Sequence, residues 1–103
     1  MSKLHWIAYI EDIKNDHCTQ DEEQVLLDIF KGQMKRTATT LARITWFKLE
    51  DFNLSHYASS NCDELKHFDL MIERRIIDKQ TQWWGTFTHG DKKLEVIGTL
   101  ERD

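Results

Sequence analysis

The feature that most constrains the fold is the C-terminal stretch of residues 82–100, which is rich in strand-forming residues on both sides of Gly90. A glycine at the first central position of a two-residue loop suits a type II′ turn, so this stretch predicts a β-hairpin turning at Gly90-Asp91. An aromatic ring laid over a cross-strand glycine covers a weak strand position, which supports the register that follows. That register places three pairs on one face: Phe87 with Leu94, Gly85 with Val96, and Trp83 with Gly98.

A further strand is predicted from about Lys66 to Ile77, where one side of the alternation carries Phe68, Leu70, Ile72, Arg74 and Ile76. If residues 78–81 form the next turn, Ile76 lies opposite Trp83 and Ile72 lies opposite Phe87. The apolar faces of all three strands then coincide, and a register that buries one shared face is strongly specified. We therefore expect one antiparallel sheet with one core face.

The clearest helix signal is the capping box at residues 19–22, in which Thr19 and Glu22 can satisfy each other's backbone N–H groups. Apolar residues then recur at helical spacing, which predicts a helix over about 20–35 with one apolar stripe. The stripe consists of Val25, Leu26, Ile29, Phe30 and Met34.

The remaining segments complete an α+β fold. Residues 4–10 are β-branched and aromatic, which favours a strand that is central or covered on both sides, with a helix as the alternative. Residues 37–49 predict one strand, straight or bent, and residues 50–64 predict a long polar connection. We expect a single domain, residues 1–103, with a mostly antiparallel sheet of about five strands (β-α-β-β-β-β) and one main helix packed on one face.

Composition narrows the classes of partner and compartment. The 18 acidic and 14 basic residues give a net charge of −4, and the basic segment 31–48 follows an acidic one, as helix-dipole complementarity favours. We therefore predict no nucleic-acid partner. No apolar run approaches the roughly 18 residues of a membrane span, and the N-terminus lacks a secretory pattern, which predicts a cytoplasmic protein without a membrane partner.

Side chains that could carry chemistry are scattered along the chain. Zinc ligands usually come in tight pairs, and the candidate ligands do not, so we predict no metal and no other cofactor. Either cysteine could pair with a histidine as a nucleophile, but no recognised signature surrounds them, and we predict a non-enzymatic protein. The candidate ligands and nucleophiles are His17, Cys18, His56, Cys62 and His67.

Arg74 suggests an alternative function, because alternation places it on the core face, opposite Gly85 in the expected register. It could contact an anion in a pocket between helix and sheet, with Tyr57 and Trp46 as further lining residues. It could equally be an edge-strand arginine whose stem packs while its guanidinium reaches water. The alternative function is thus a small-molecule-binding protein or an enzyme with such a pocket.

The favoured function comes from the second face of the hairpin. The expected register brings Trp84 beside Arg75, which can stack on the indole as a cation–π pair. Aromatic residues, Met and Arg are enriched at protein interfaces, although another part of the chain could also cover this face. We expect a small cytoplasmic binding protein that self-associates as a homodimer or docks a protein partner here. The predicted protein-binding residues are Trp84, Ile97, Met71, Arg75 and Ile77.

Overall fold

The fold is an antiparallel sheet with a long helix across one face, as expected for the α+β class. The computed structural model describes residues 5–54 and 62–102. The described elements are, in chain order, β1 (Trp6–Asp16), α1 (Gln20–Thr37), β2 (Ile44–Lys48), a 3-10 turn (Leu49–Asp51), α2 (Cys62–Leu65), β3 (Asp69–Ile77), β4 (Gln80–His89) and β5 (Lys92–Arg102).

The strands lie in the order β1-β5-β4-β3-β2, so that β1 and β2 are the two edges. The N-terminal segment is a strand, as predicted, but the expectation that it is central or covered on both sides is wrong. Among the described strands, β1 pairs only with β5, and Tyr9 on its outer face is 42% exposed. Its apolar residues on both faces reflect one side packed toward α1 and one side left open.

The hairpin of β4 and β5 confirms the predicted register. Trp83 lies opposite Gly98, Gly85 opposite Val96, and Phe87 opposite Leu94. Gly90 has a φ of +59°, whereas Asp91 does not have a positive φ. A positive φ at the first central position alone is the type II′ geometry that only glycine adopts without strain.

The predicted register between β3 and β4 is wrong by two residues. Arg74 lies opposite Trp83, not opposite Gly85, and Ile76 lies opposite Thr81 with 73% of its surface exposed. The cause is a tight two-residue turn in which Asp78 and Lys79 both have a positive φ, 53° and 65°, as a type I′ turn requires. A shift of two residues preserves which side chains share a face, so the predicted core face is correct.

Helix α1 confirms the capping box and extends slightly beyond the predicted end. Thr19 Oγ1 accepts a hydrogen bond from Glu22 N at 3.1 Å, and Glu22 Oε1 accepts one from Thr19 N at 2.8 Å. At the other end, Thr37 is the last helical residue, and its hydroxyl donates to Gln33 O at 2.8 Å. The expected strand over 37–49 therefore shortens to β2, because local hydroxyl-to-carbonyl bonds satisfy the helix end.

The core lies between α1 and the sheet. The Phe30 ring sits directly over Gly85 and Gly98, where added Cβ atoms would lie 2.4 Å and 2.9 Å from ring carbons. Glycine at these two strand positions allows the helix to approach the sheet. The predicted apolar stripe is buried, together with core residues of the sheet and connections that include Leu49, Leu54, Leu65, Phe68, Leu70, Ile72, Trp83, Phe87, Leu94 and Val96.

A buried ion pair joins the start of α1 to the start of β5. Glu22 is 1% exposed, and Lys92 Nζ contacts its two carboxylate oxygens at 3.0 Å and 2.8 Å. Burial by itself raises the pKa of the Glu22 carboxyl, but the hydrogen bonds from Lys92 and from the Thr19 backbone outweigh it. The net effect is a Glu22 pKa below its usual 4.5.

This pair predicts a loss of stability in mild acid. A carboxyl whose folded pKa is depressed contributes stability that is present above the unfolded pKa and lost as pH falls through the folded pKa. We expect the unfolding free energy of the wild-type protein to decline as pH falls below about 5, with a smaller decline for Glu22→Gln. Denaturant melts from about pH 6 to pH 3 measure the difference, with the exposed Asp28→Asn as control. If the unfolding free energy of wild type and of Glu22→Gln fell equally with pH, the predicted contribution of the Glu22–Lys92 pair would be contradicted.

Candidate protein-binding surface

The sheet face opposite α1, here called the open face, is the candidate site. Alternation along the five strands divides their side chains between the core and this face. Leu65 of α2 belongs to the core cluster with the stripe of α1, so neither described helix covers the open face. Its large apolar members are Ile7, Tyr9, Ile44, Trp46, Met71, Ile77, Trp84 and Ile97, five of which are exposed.

Trp84 and Ile97 are direct cross-strand partners near the centre of the open face. The Arg75 guanidinium lies 4.0 Å from the centroid of the Trp84 ring, which confirms the predicted cation–π pair. Arg75 is a diagonal neighbour, since Glu73 is the residue directly opposite Trp84 on β3. The indole Nε1 donates to Gln82 Oε1 at 3.1 Å, so both the face and the edge of the ring are held.

The structure separates the other two predicted binding residues from this centre. Met71 lies opposite Trp46 of β2 and Thr86 of β4, nearer the β2 edge. Ile77 lies at the end of β3, beyond Arg75. The predicted set therefore shares one face, but only Trp84, Ile97 and Arg75 form a compact group.

Trp46 belongs to the open face and not to a pocket between helix and sheet. It pairs with Met71, whereas its neighbour Phe47 pairs with the buried Leu70. Trp46 is 69% exposed, the expected consequence of a position on the outer face of an edge strand. The sequence interpretation missed this because the pairing of β2 with β3, which sets the face of Trp46, was not predicted.

Arg74 supports a loop. Its guanidinium donates to Thr40 O at 3.1 Å and to Leu41 O at 3.4 Å, and its backbone N donates to Arg43 O at 2.8 Å. These bonds hold the connection between α1 and β2 against the end of β3. Arg74 and Trp46 do not line a common cleft, and Tyr57 lies outside the described residues.

Among the clefts lined by described residues, two adjoin the Trp84 and Trp46 parts of the open face. One, of about 380 Å³, is centred on the Trp84 group and has charged walls from Asp12, Lys14 and Glu95. The other, of about 520 Å³, runs along the β2 edge. Its lining residues are Arg36, Trp46, Phe47, Lys48, Asp51, Phe52 and Asp69.

Two of the candidate nucleophiles and ligands, Cys18 and His67, lie away from the open face. Burial, and then the neighbouring Glu22 carboxylate, raise the pKa of the Cys18 thiol, which disfavours the nucleophilic thiolate. His67 and His89 stack with centroids 5.5 Å apart. Within residues 5–54 and 62–102, no group of three or more metal-binding side chains comes together. His56 and the side chain of Cys62 lie outside the described residues.

Sequence reasoning missed several residues of the open face: Ile7, Tyr9, Ile44 and Trp46. The alternation within β1 and β2 is the signal that places them, because every second residue of each strand faces outward. The alternation alone does not say which set of side chains faces outward. The pairing of β1 with β5 and of β2 with β3 decides this, and it depends on residues that are distant in the sequence.

Among the described helices, none is long and apolar enough to cross a membrane. Comparisons with protein-family models, with curated proteins and with solved structures found no match.

Proposed function

We propose that this chain is a small non-enzymatic binding protein whose contact surface is the open face around Trp84, with a second copy as the simplest partner. The observation that carries the proposal is the one-sided packing of the sheet. α1 lies on one face, and large apolar side chains, including Trp46 and Tyr9, remain exposed on the other. Exposed apolar surface rimmed by polar groups is characteristic of interaction sites.

Charge pairing within the open face supports a protein contact. Arg75 Nε lies 2.7 Å from Glu73 Oε1, and Lys93 Nζ lies 2.9 Å from Glu95 Oε1. A charge that enters an interface without a partner is costly, and a charge already paired on its own surface loses less on desolvation. The open face can therefore approach another surface without leaving these four groups unpaired.

The fixed geometry of Trp84 also favours binding. Arg75 stacks on the ring and Gln82 accepts from its Nε1, so the indole is held before any partner arrives. Pre-ordering a side chain reduces the entropy lost on association. In a twofold contact, Trp84 and Ile97 would lie near the same residues of the second copy.

The test is the solution mass of wild type and Trp84→Ala over a range of concentrations. Truncating a central interfacial aromatic typically costs at least about 2 kcal/mol, so we expect roughly thirtyfold weaker association at this face. The fold should persist, because Trp84 is not part of the core. Sedimentation equilibrium measures the association, and circular dichroism checks the fold.

Ile76→Ala is the matched control, since Ile76 is 73% exposed and lies on β3 facing the α1 side. It should leave the open-face association unchanged. A wild-type protein that stays monomeric at high concentration, or a Trp84→Ala variant that associates as strongly as wild type, would refute self-association through this face.

A further inference from the structure

The β2 edge presents unpaired backbone groups. Among the described residues, β2 pairs with β3 and has no strand on its other side. Arg74 N donates to Arg43 O at 2.8 Å, and Leu49 N donates to Phe68 O at 3.0 Å, so odd-numbered residues bond toward β3. In an antiparallel ladder, the residues between these direct their backbone N–H and C=O groups away from the partner strand, here away from β3. Those residues are Ile44, Trp46 and Lys48.

The other edge of the sheet is protected against pairing. β1 carries an irregularity in register between Ile10 and Asp12, and Glu11 is the unpaired residue. Bulges and charges are the usual devices that block the addition of another strand to an edge. Charged residues of β1 include Glu11, Asp12, Lys14 and Asp16. β2 has neither device along its centre, since its one charge, Lys48, stands at its end.

We propose that β2 pairs antiparallel with β2 of a second copy, about a twofold axis at Trp46. In this register Trp46 lies opposite Trp46 of the second copy, and Ile44 lies opposite Lys48. The outward backbone groups would then form about six hydrogen bonds across the seam. The two exposed indoles would lie side by side on the open face, as cross-strand aromatic pairs do.

Charge complementarity selects a second copy as the occupant of this edge. The register continues past the strand ends and brings Arg43 of one copy alongside the 3-10 turn (Leu49–Asp51) of the other. Neither Arg43 nor Asp51 has an ion-pair partner among the described residues. Asp51 lines the cleft of about 520 Å³ that runs along β2. Because the axis is twofold, an Arg43–Asp51 contact would occur at both ends of the seam.

This seam is a different surface from the open-face contact, and the two can form independently. An edge seam joins two sheets side by side, whereas the open face joins two sheets face to face. The experiment is therefore performed in the Trp84→Ala background, where the open-face contact is weakened and the remaining association reports the seam.

Lys48→Pro tests the backbone pairing, with Lys48→Ala as the matched control. Proline removes a backbone N–H that points away from β3, and edge strands tolerate proline at such positions. Proline also fixes φ near about −65°, whereas Lys48 has an extended φ of −104°, so circular dichroism checks that the proline variant keeps its fold. By sedimentation velocity we expect Trp84→Ala and Trp84→Ala/Lys48→Ala to be dimers and Trp84→Ala/Lys48→Pro to be monomers, a twofold loss of mass. Equal masses for the proline and alanine variants overturn the seam, as does a monomeric Trp84→Ala protein.

Charge reversal provides a second measurement that does not depend on proline. Arg43→Asp and Asp51→Arg should each weaken the dimer, because each places like charges together at both ends of the seam. The double variant should restore association. Single and double variants that associate equally would overturn the predicted register. A different result refutes the proposed open-face contact: a Trp84→Ala variant with the same solution mass as the wild-type protein.

Discussion

Replacement of Trp83 by alanine is expected to lower the free energy of unfolding by about 3–5 kcal/mol, the usual cost of truncating a large buried side chain. Trp83 is 5% exposed, belongs to the core cluster and lies opposite Gly98. Its removal leaves a cavity on the α1 side of β4. Denaturant unfolding followed by far-UV circular dichroism measures the loss.

Two further tryptophan variants test whether the loss of stability in Trp83→Ala comes from the burial of the side chain. Trp46→Ala removes the same ring from a position that is 69% exposed in the monomer, and at concentrations where the protein is monomeric it should cost less than about 1 kcal/mol. Trp83→Phe retains an aromatic ring and removes the Trp83 Nε1 donor, which is buried with no hydrogen-bond partner among residues 5–54 and 62–102. A cost below about 1.5 kcal/mol is therefore expected for Trp83→Phe. A loss below about 1 kcal/mol for Trp83→Ala would contradict its place in the core.

Gly85→Ala is expected to destabilise the protein by about 3 kcal/mol, at the upper end of the cost of overpacking. The added methyl would lie 2.4 Å from a ring carbon of Phe30. Phe30 is a residue of α1 and is fully buried between the helix and the sheet. A rigid ring in a packed core has little room to move. The substitution should therefore displace the helix from the sheet, and thermal and denaturant unfolding measure the effect.

Gly32→Ala provides a matched control for Gly85→Ala, and a double variant with Phe30 tests the contact itself. Gly32 lies within α1 with nothing within 4 Å of an added Cβ, and Gly32→Ala should stabilise the protein by about 0.5–1 kcal/mol. Combining Gly85→Ala with Phe30→Leu should cost less than the sum of the two single changes, because they share one contact. Additive costs would show that the Gly85 methyl does not meet Phe30.

The parts of the fold that could be predicted from sequence are those specified by short-range chemistry. A capping box marks the start of α1, and Gly90 selects the turn that sets the register of β4 and β5. The turn at Asp78 and Lys79 carried no comparable signal, because neither residue is the glycine that usually supplies a positive φ. The register of β3 was therefore wrong by two residues, although its core face was right.

The edges of the sheet could not be predicted in the same way. Thr37 and Thr39 are strand-forming residues, yet their hydroxyls donate back to helix carbonyls and help to end α1. The strand β2 therefore begins at Ile44, and its pairing with β3 places Trp46 on the open face. The pairing of β1 with β5 joins residues far apart in the chain, such as Ile10 and Gly98, and no local pattern encodes it.

The candidate surface was predictable where it depends on the hairpin. Trp84 and Ile97 are cross-strand partners because of the Gly90 turn, and the parity of β3 places Arg75 on the same face. The contribution of β1 and β2 depends on long-range pairing, so Tyr9 and Trp46 became part of the surface only once the strand order was known.

The irregularity at Glu11 has a consequence for the size of any assembly. Glu11 accepts a hydrogen bond from the Thr99 hydroxyl at 2.9 Å, which ties the unpaired residue of β1 to its neighbouring strand. A sheet with two receptive edges can add copies without limit and grow into a fibre. Of the two edges that the described strands form, only β2 is receptive, so a twofold pairing uses the receptive edge of both copies at once. Polymerisation by strand addition is then terminated at two chains.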